Sequence, residues 1–542
     1  LLVDLADGSE LATAVHPYRS GVHGVITSAD PDLARQEPAD YLEGLETVAL
    51  EVLAEAKKAL PDFRPSDIVS IGFATTGSTP LPIDASGNAL SLLPQFSDRL
   101  AAKAWLWKDH TAHAEAKKIT EGARTSRPEY MLACGGTYSA EWFWAKIWHC
   151  ASEDPEVFAA ADSWVELCDF LVGQLTDTAA NPQLRRSITA AGHKALYSAD
   201  WGGLPDEEFL NSLDPRLGAV RAKLYETAHQ TTDLAGSVSA VWAKRTGLAE
   251  GTPVAVGHFD AHAAGVAAGA RPGTFVKVMG TSTCDVTVVE PEGDSLPEIP
   301  GMCGVVRDAL IPGLISVEAG QSAVGDIFNW LTEHFLAGAG ATISVDELGR
   351  QASLLGPGSH GLLALDWFNG NRSVLVDQRL TGLILGLTLH TDPSQVLRAL
   401  VEATAFGARR ILETVEAHGA PITKVVAAGG LPSHAPWIIQ CYADVLGREI
   451  FVSGTTQGSA FGAALVAAVA AGEFDSVQQA QDRLVTFRPG SFTSKPESVA
   501  VYDQLYGEFT AVHDAFAANG PLGSVMKNVR AIRDTNIEES SK

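Results

Sequence analysis

Val254-Ala255-Val256-Gly257-His258-Phe259-Asp260-Ala261-His262, a run of small residues, and Thr274-Phe275-Val276-Lys277-Val278-Met279-Gly280-Thr281-Ser282-Thr283-Cys284-Asp285-Val286 form the most informative stretch of this sequence. Its two β-branched runs, Val254 to Val256 and Thr274 to Val278, each lead into a glycine turn and predict two strands. The first turn carries a lone carboxylate, Asp260, at the mouth of an Ala/Gly helix. The second, Gly280-Thr281-Ser282-Thr283, offers backbone N–H groups and three hydroxyls with no bulky side chain in the way. An acid beside such a turn suits phosphoryl transfer, because the acid accepts a proton from an attacking alcohol while the turn holds phosphate oxygens. The same acid can equally cap the helix, and both roles are open. His258 and His262 lie four apart, but a turn falls between them, which disfavours a two-histidine metal site.

Composition narrows the function classes. A chain of 542 residues with 46% hydrophobic and 19% charged content is globular, and about 150 residues per domain suggests two to four domains. The net charge of −26 argues against sequence-independent binding to nucleic acid or to an anionic membrane. Six scattered cysteines without C-x-x-C spacing point to a reducing compartment rather than a disulfide or zinc framework. No secretory leader pattern opens the sequence, and the apolar helix Ala460 to Ala471 is too short to span a bilayer. A cytoplasmic protein is expected. Leu1 to Leu5 read as one strand of a hairpin whose partner lies upstream.

Outward from the central stretch, apolar residues between Asp40 and Leu60 fall at helical spacing. Ile68 to Phe73 reads as a buried strand ending in a Gly/Ser/Thr turn like that at Gly280, which hints at a duplicated architecture. Lys108, Asp109 and His110 interrupt an aromatic run and suggest a polar pocket wall. Tyr138 to Trp148 reads as a core helix with Lys146 reaching outward, or as a stacking platform. Lys194 follows a glycine in a segment without helical periodicity, so it is either solvated or bound to substrate oxygens. Glu318 ends the strand Leu314 to Gly320, as a second acid or a helix cap. A helix opens at Asp392-Pro393 and closes at Gly419. Lys424 to Ala428 forms a strand, and Gly429-Gly430 makes a turn bare enough for a base or ribose to lie on, or merely starts a packed helix. Ser433 begins a helix and Glu449 to Val452 a further strand. The alternation of strand, glycine and helix is an α/β pattern. Past Phe487 come a helix (Val499 to Phe516) and a polar tail.

Thr76-Gly77-Ser78-Thr79-Pro80, Trp107-Lys108-Asp109-His110, Ser139-Ala140-Glu141-Trp142, Gly192-His193-Lys194, Phe259-Asp260-Ala261-His262, Lys277 through Asp285, Glu318-Ala319-Gly320-Gln321, Asp366-Trp367-Phe368-Asn369-Gly370 and Ala403 through Arg409 form an ordered set. That set resembles the FGGY family of carbohydrate kinases, in the actin/hexokinase/Hsp70 superfamily. The resemblance implies two ribonuclease-H-like domains flanking a cleft: a sugar-binding domain over 1–250, an ATP-binding domain over 251–485, and a C-terminal helix and tail over 486–542. It implies ATP and Mg2+ as cofactors, a ketopentose substrate, cytoplasmic location, and a homodimer by family habit. The expected reaction is phosphorylation of L-ribulose at O5, in arabinose catabolism. The alternatives are another kinase of the family acting on D-ribulose, D-xylulose or a polyol, or a non-catalytic sugar sensor.

Carried over by position, Asp260 matches the general base. Ser97, Asp109, Lys194, Asp260 and Glu318 match substrate-binding positions. Gly280, Thr281, Ser282 and Thr283 match a phosphate motif, and Gly429, Gly430 and Ser433 the adenosine motif. Family members open with an Asp-x-Gly-Thr hairpin bearing a first phosphate motif and a magnesium-associated Asp. Leu1 to Leu5 correspond to the segment immediately C-terminal to that motif, so the metal-holding residues are unknown from this sequence.

Overall fold

The computed structural model describes residues 1–180, 182–293, 295–336 and 345–540. Its second half is organised on a six-stranded mixed sheet. The order across that sheet is Gly304–Arg307, Ile315–Gln321, Thr283–Val289, Thr274–Met279, Lys424–Gly429 and Ile450–Val452. The first four strands are antiparallel neighbours, while Lys424–Gly429 runs parallel to strands on both sides. Val276, Val286, Val288 and Val426 pack into one apolar cluster, as expected of β-branched residues in a sheet covered by helices.

The helix Pro393–Ala417 covers this sheet. Asp392 caps it by accepting from the Ser394 and Gln395 N–H groups, with Gln395 reaching back. The helix expected at Ser433 starts at Leu431, ends at His434, and resumes as Pro436–Leu446. Pro436 interrupts the ladder, since it lacks an N–H.

Short ladders and helices build the first half. Pro80–Ile83 pairs with Ser163–Glu166, and Ala74–Thr75 runs parallel to His258–Phe259. The expected helix near Asp40 spans Pro38–Ala59. Ile68 to Phe73 is not a buried strand. It is extended, bridges Val254 only at Ile71, and Val69 is exposed. Ile68, Phe73, Val48 and Val52 instead line an apolar groove of about 970 Å³. Leu2–Val3 pairs with Glu10–Ala12.

Two Ala/Gly helices pack tightly against each other in the second half. Asp260–Ala267 lies against Gly458–Ala470 so closely that a Cβ on Gly462 would stand 1.8 Å from the Ala263 carbonyl oxygen. Small residues therefore set the distance between helices here. No helix among the described residues is long and apolar enough to cross a membrane.

Lys146 overturns its expected outward orientation. On the helix Phe143–Glu153 it is fully buried, donating to the carbonyls of Ser78, Leu106 and Trp105 at 2.9, 2.9 and 3.2 Å. All three ammonium donors are thus satisfied inside the protein, and they tie the Ser78 turn to the segment leading into Trp107. The C-terminal tail is likewise a helix, Val525–Ser540.

Candidate active site

A cavity of about 260 Å³ lies where the two halves face each other, and Asp260, Lys194, Glu318, Trp107, Glu141 and Arg372 reach it. Asp260 is the first residue of its helix, with Phe259 at the cap position. One carboxylate oxygen accepts from the Ala261 N–H at 2.6 Å; the other is left unbonded among the described residues. Burial pushes the Asp260 carboxyl above the ordinary carboxylate range, against the pull of that N–H and of His262.

The Gly280–Ser282 turn joins Thr274–Met279 to Thr283–Val289 and lines the same cavity. Its carbonyls are anchored: Gly280 O accepts from the Gly325 N–H at 3.1 Å, and Thr281 O from Val324 and Asp326 at 2.8 and 3.1 Å. Gly280 and Thr281 are exposed. Thr283 points inward instead, accepting from the Gln321 N–H at 3.1 Å and from Lys277 at 3.3 Å.

A buried ion pair joins the halves at the same cavity. Lys194 Nζ donates to both Glu318 oxygens, at 2.9 and 3.0 Å. Lys194 lies in the last turn of a helix, Ile188–Ala195, not in the aperiodic segment expected. Eight Ala/Gly-rich residues carry no apolar stripe to announce it. Glu318 sits in the middle of Ile315–Gln321, so the cap role falls away. Burial opposes both charges, but each sustains the other: Glu318 is held well below the carboxylate range and Lys194 is raised.

His193 Nδ1 and His262 Nε2 lie 3.1 and 3.4 Å from Glu318 Oε2. His193 Nε2 is 3.0 Å from the Ser316 hydroxyl. Burial, reinforced by His262, pushes His193 down to about 3, so it is neutral in use. Among the described residues, His193, His262 and Glu318 form the group with metal-ligand spacing. Two imidazoles and a carboxylate already paired to an ammonium do not match the oxygen ligands that magnesium takes.

Thr283, Gly429, Gly430 and Ser433 do not line this cavity, and of the expected sugar contacts Asp109 and Ser97 are not brought to it. Asp109 is fully buried, accepting from the Ala34 N–H at 2.7 Å, the Thr111 hydroxyl at 2.6 Å and the Arg35 guanidinium. Those bonds consume its acceptor capacity inside the first half. Ser97 is exposed; its hydroxyl donates to Pro94 O at 3.2 Å and its own carbonyl accepts from Lys103 at 3.0 Å.

Gly429 and Gly430 end the parallel strand beside Met279, at the same edge as the Gly280 turn. Gly429 has φ +91°, and a Cβ there would meet Met279 O at 2.4 Å, so glycine is required. The Ser433 hydroxyl accepts from Arg488 at 2.7 Å. Ligand sites at the carboxyl ends of parallel strands are the rule in open α/β sheets. Sequence reading missed Arg372. Its signal was an isolated charge in the Gly/Asn loop Asn369-Gly370-Asn371-Arg372-Ser373, the same reasoning applied to Lys194.

Family models match most of the chain. The FGGY family of carbohydrate kinases, N-terminal domain, matches residues 20–267, and its C-terminal domain matches 275–471. The chain belongs to the FGGY family of carbohydrate kinases. It is 40% identical to the ribulokinase of Geobacillus thermodenitrificans, over 99% of this chain and 95% of that one. It is 38% identical to the ribulokinase of Bacillus licheniformis, over 100% and 98%. Among solved structures it is similar to the xylulose kinase from Rhodospirillum rubrum, with TM-score 0.71 and 23% identity over 91% of this chain and 92% of that one. It is similar also to Plasmodium falciparum glycerol kinase with ADP, with TM-score 0.69 and 16% identity over 90% and 92%. These structures share the two-domain α/β fold, which is the fold class expected from the sequence.

Proposed function

We propose that this protein transfers the terminal phosphoryl group of ATP to O5 of L-ribulose. The observation behind this is that Asp260, the Gly280–Ser282 turn and the Lys194–Glu318 pair line one cavity. Asp260 takes the proton from the sugar's terminal hydroxyl as that oxygen bonds to phosphorus. The bond from phosphorus to the bridging oxygen breaks, and ADP leaves with its electron pair. Lys194 donates to sugar oxygens while Glu318 holds it charged and in place. Gly280, Thr281 and Ser282 receive phosphate oxygens, and Gly429, Gly430 and Ser433 border the adenosine. The ribulokinase relatives support the choice of ketose.

The residues fit magnesium-bound ATP. Mg2+ commonly keeps phosphates and water among its ligands, so the ATP phosphates over the Gly280–Ser282 turn would hold it, and the unbonded Asp260 oxygen is kept for the sugar hydroxyl. The ion would neutralise phosphate charge during transfer. We assign 1–250 to sugar holding and 251–485 to nucleotide binding, and place the enzyme in the cytoplasm, in keeping with its free cysteines.

A coupled ADP-release assay over L-ribulose, D-ribulose, D-xylulose and glycerol tests this reading. L-Ribulose is expected to give the highest kcat/KM. Sugar-dependent ADP release absent for every ketopentose, or fastest with glycerol, contradicts it.

A further inference from the structure

Arg372 sits on the long connection between the strands Leu363–Leu365 and Leu383–Leu385. The loop is closed on itself, since Asn371 and Asp377 exchange backbone hydrogen bonds at 2.9 and 2.8 Å. It is also pinned from three sides. The Gly320 N–H donates to the Ser373 hydroxyl at 3.2 Å, tying the loop to the strand that carries Glu318. Lys527 pairs with Asp377, and Arg530 donates to the Gln378 carbonyl at 3.4 Å. The same Arg530 reaches Asp32 of the first half at 3.3 Å. The C-terminal helix, for which the sequence suggested no role, thus braces this loop against the opposite lobe.

The guanidinium itself crosses the cleft. Its Nη2 donates to Glu141 Oε1 at 3.2 Å, and its central carbon lies 5.2 Å from the Trp107 ring centroid. His110 shares Glu141, at 3.1 Å. Arg372 lines the cavity, and its Nε is buried without a hydrogen-bond partner among the described residues. A guanidinium has five N–H donors, and a buried unpaired donor is costly enough that it calls for an acceptor.

We propose that Arg372 contacts the sugar and determines specificity, donating from a fixed orientation to hydroxyl oxygens of the ketopentose. This rests on the reading of the cavity as a ketopentose kinase site. With O5 free for phosphorylation a 2-ketopentose is open-chain, so its hydroxyls form a row of acceptors whose handedness a planar fork can discriminate. The alternative target is the phosphoryl group; the partners Arg372 already holds, Glu141 and Trp107, lie in the first half, to which the sugar is assigned.

The test compares wild type with Arg372→Lys, by calorimetry of sugar binding without nucleotide and by kcat and KM for both substrates. Sugar affinity is expected to fall about ten- to a hundredfold, the range for losing hydrogen bonds from a charged donor. The KM for ATP stays unchanged, and the preference for L-ribulose over its stereoisomers narrows. Unchanged sugar binding, a loss confined to kcat, or a matching rise in the KM for ATP overturns the proposal. If Arg372→Lys does not fold, Arg530→Ala releases the loop without touching the cavity. It is expected to raise the sugar KM in the same direction, and no change there counts against the proposal. A wild type that binds and turns over ketopentose while the lysine variant matches it leaves the kinase reading standing and removes the arginine alone. A wild type that binds no ketopentose sinks both.

Discussion

Asp260→Asn lowers kcat by about 10²–10⁴-fold, the range for a lost general base, while ketopentose affinity is largely retained. The substitution keeps shape and removes only the ability to accept a proton. The carboxylate stands at the cavity with one oxygen unbonded, and burial raises its pKa. A base so raised is better matched to proton abstraction near neutral pH than one at the ordinary value of about 3.9. Only the ionised form abstracts a proton, so wild-type kcat/KM rises with pH and levels off above the raised pKa. The Asn variant loses that acidic limb. A pH–rate series on both proteins checks this, and an Asn variant with near-normal kcat removes Asp260 from the role.

Lys194→Ala has the second largest effect, and it acts in two ways. It removes a donor to the sugar, raising the sugar KM with little change in the KM for ATP. It also strands the Glu318 carboxylate, which is buried and holds Lys194 through both oxygens. Breaking one side of a buried ion pair costs about 3–5 kcal/mol, because the remaining charge is uncompensated. Denaturant melts and sugar titrations on Lys194→Ala, Glu318→Ala and the double variant separate the two effects. The double variant is expected to recover part of the stability and none of the sugar affinity. Recovery of sugar affinity, or a rise in the KM for ATP alone, contradicts the placement of the sugar beside Lys194.

The glycine turns of the second half and the strands Thr274–Met279 and Lys424–Gly429 were legible from β-branched runs closed by Gly, but the same pattern misled at Ile68 to Phe73, which makes a single bridge at Ile71. Asp260 and the Gly280 turn could be read from one another's proximity in sequence. Residues whose partners lie far along the chain were not legible. Asp109 looks like a pocket wall in its aromatic run, yet its carboxylate belongs to Arg35, 74 residues away. Lys146 looks like a surface lysine until three distant carbonyls are seen around it. Glu318 kept two readings open because a strand's end cannot be fixed from its last apolar residue; the structure carries the strand on to Gln321. Arg372 lay in a loop with no periodicity, and its importance arises only when the lobes bring Glu141 and Trp107 to it.

A structure of the protein with L-ribulose and a non-hydrolysable ATP analogue would decide whether Asp260 meets the sugar. The terminal hydroxyl is expected within about 2.6–3.2 Å of the Asp260 carboxylate, in line with a terminal phosphate resting on Gly280–Ser282. A ketose bound away from Lys194 and Glu318, or an Asp260 carboxylate turned out of the cavity in that complex, would contradict it.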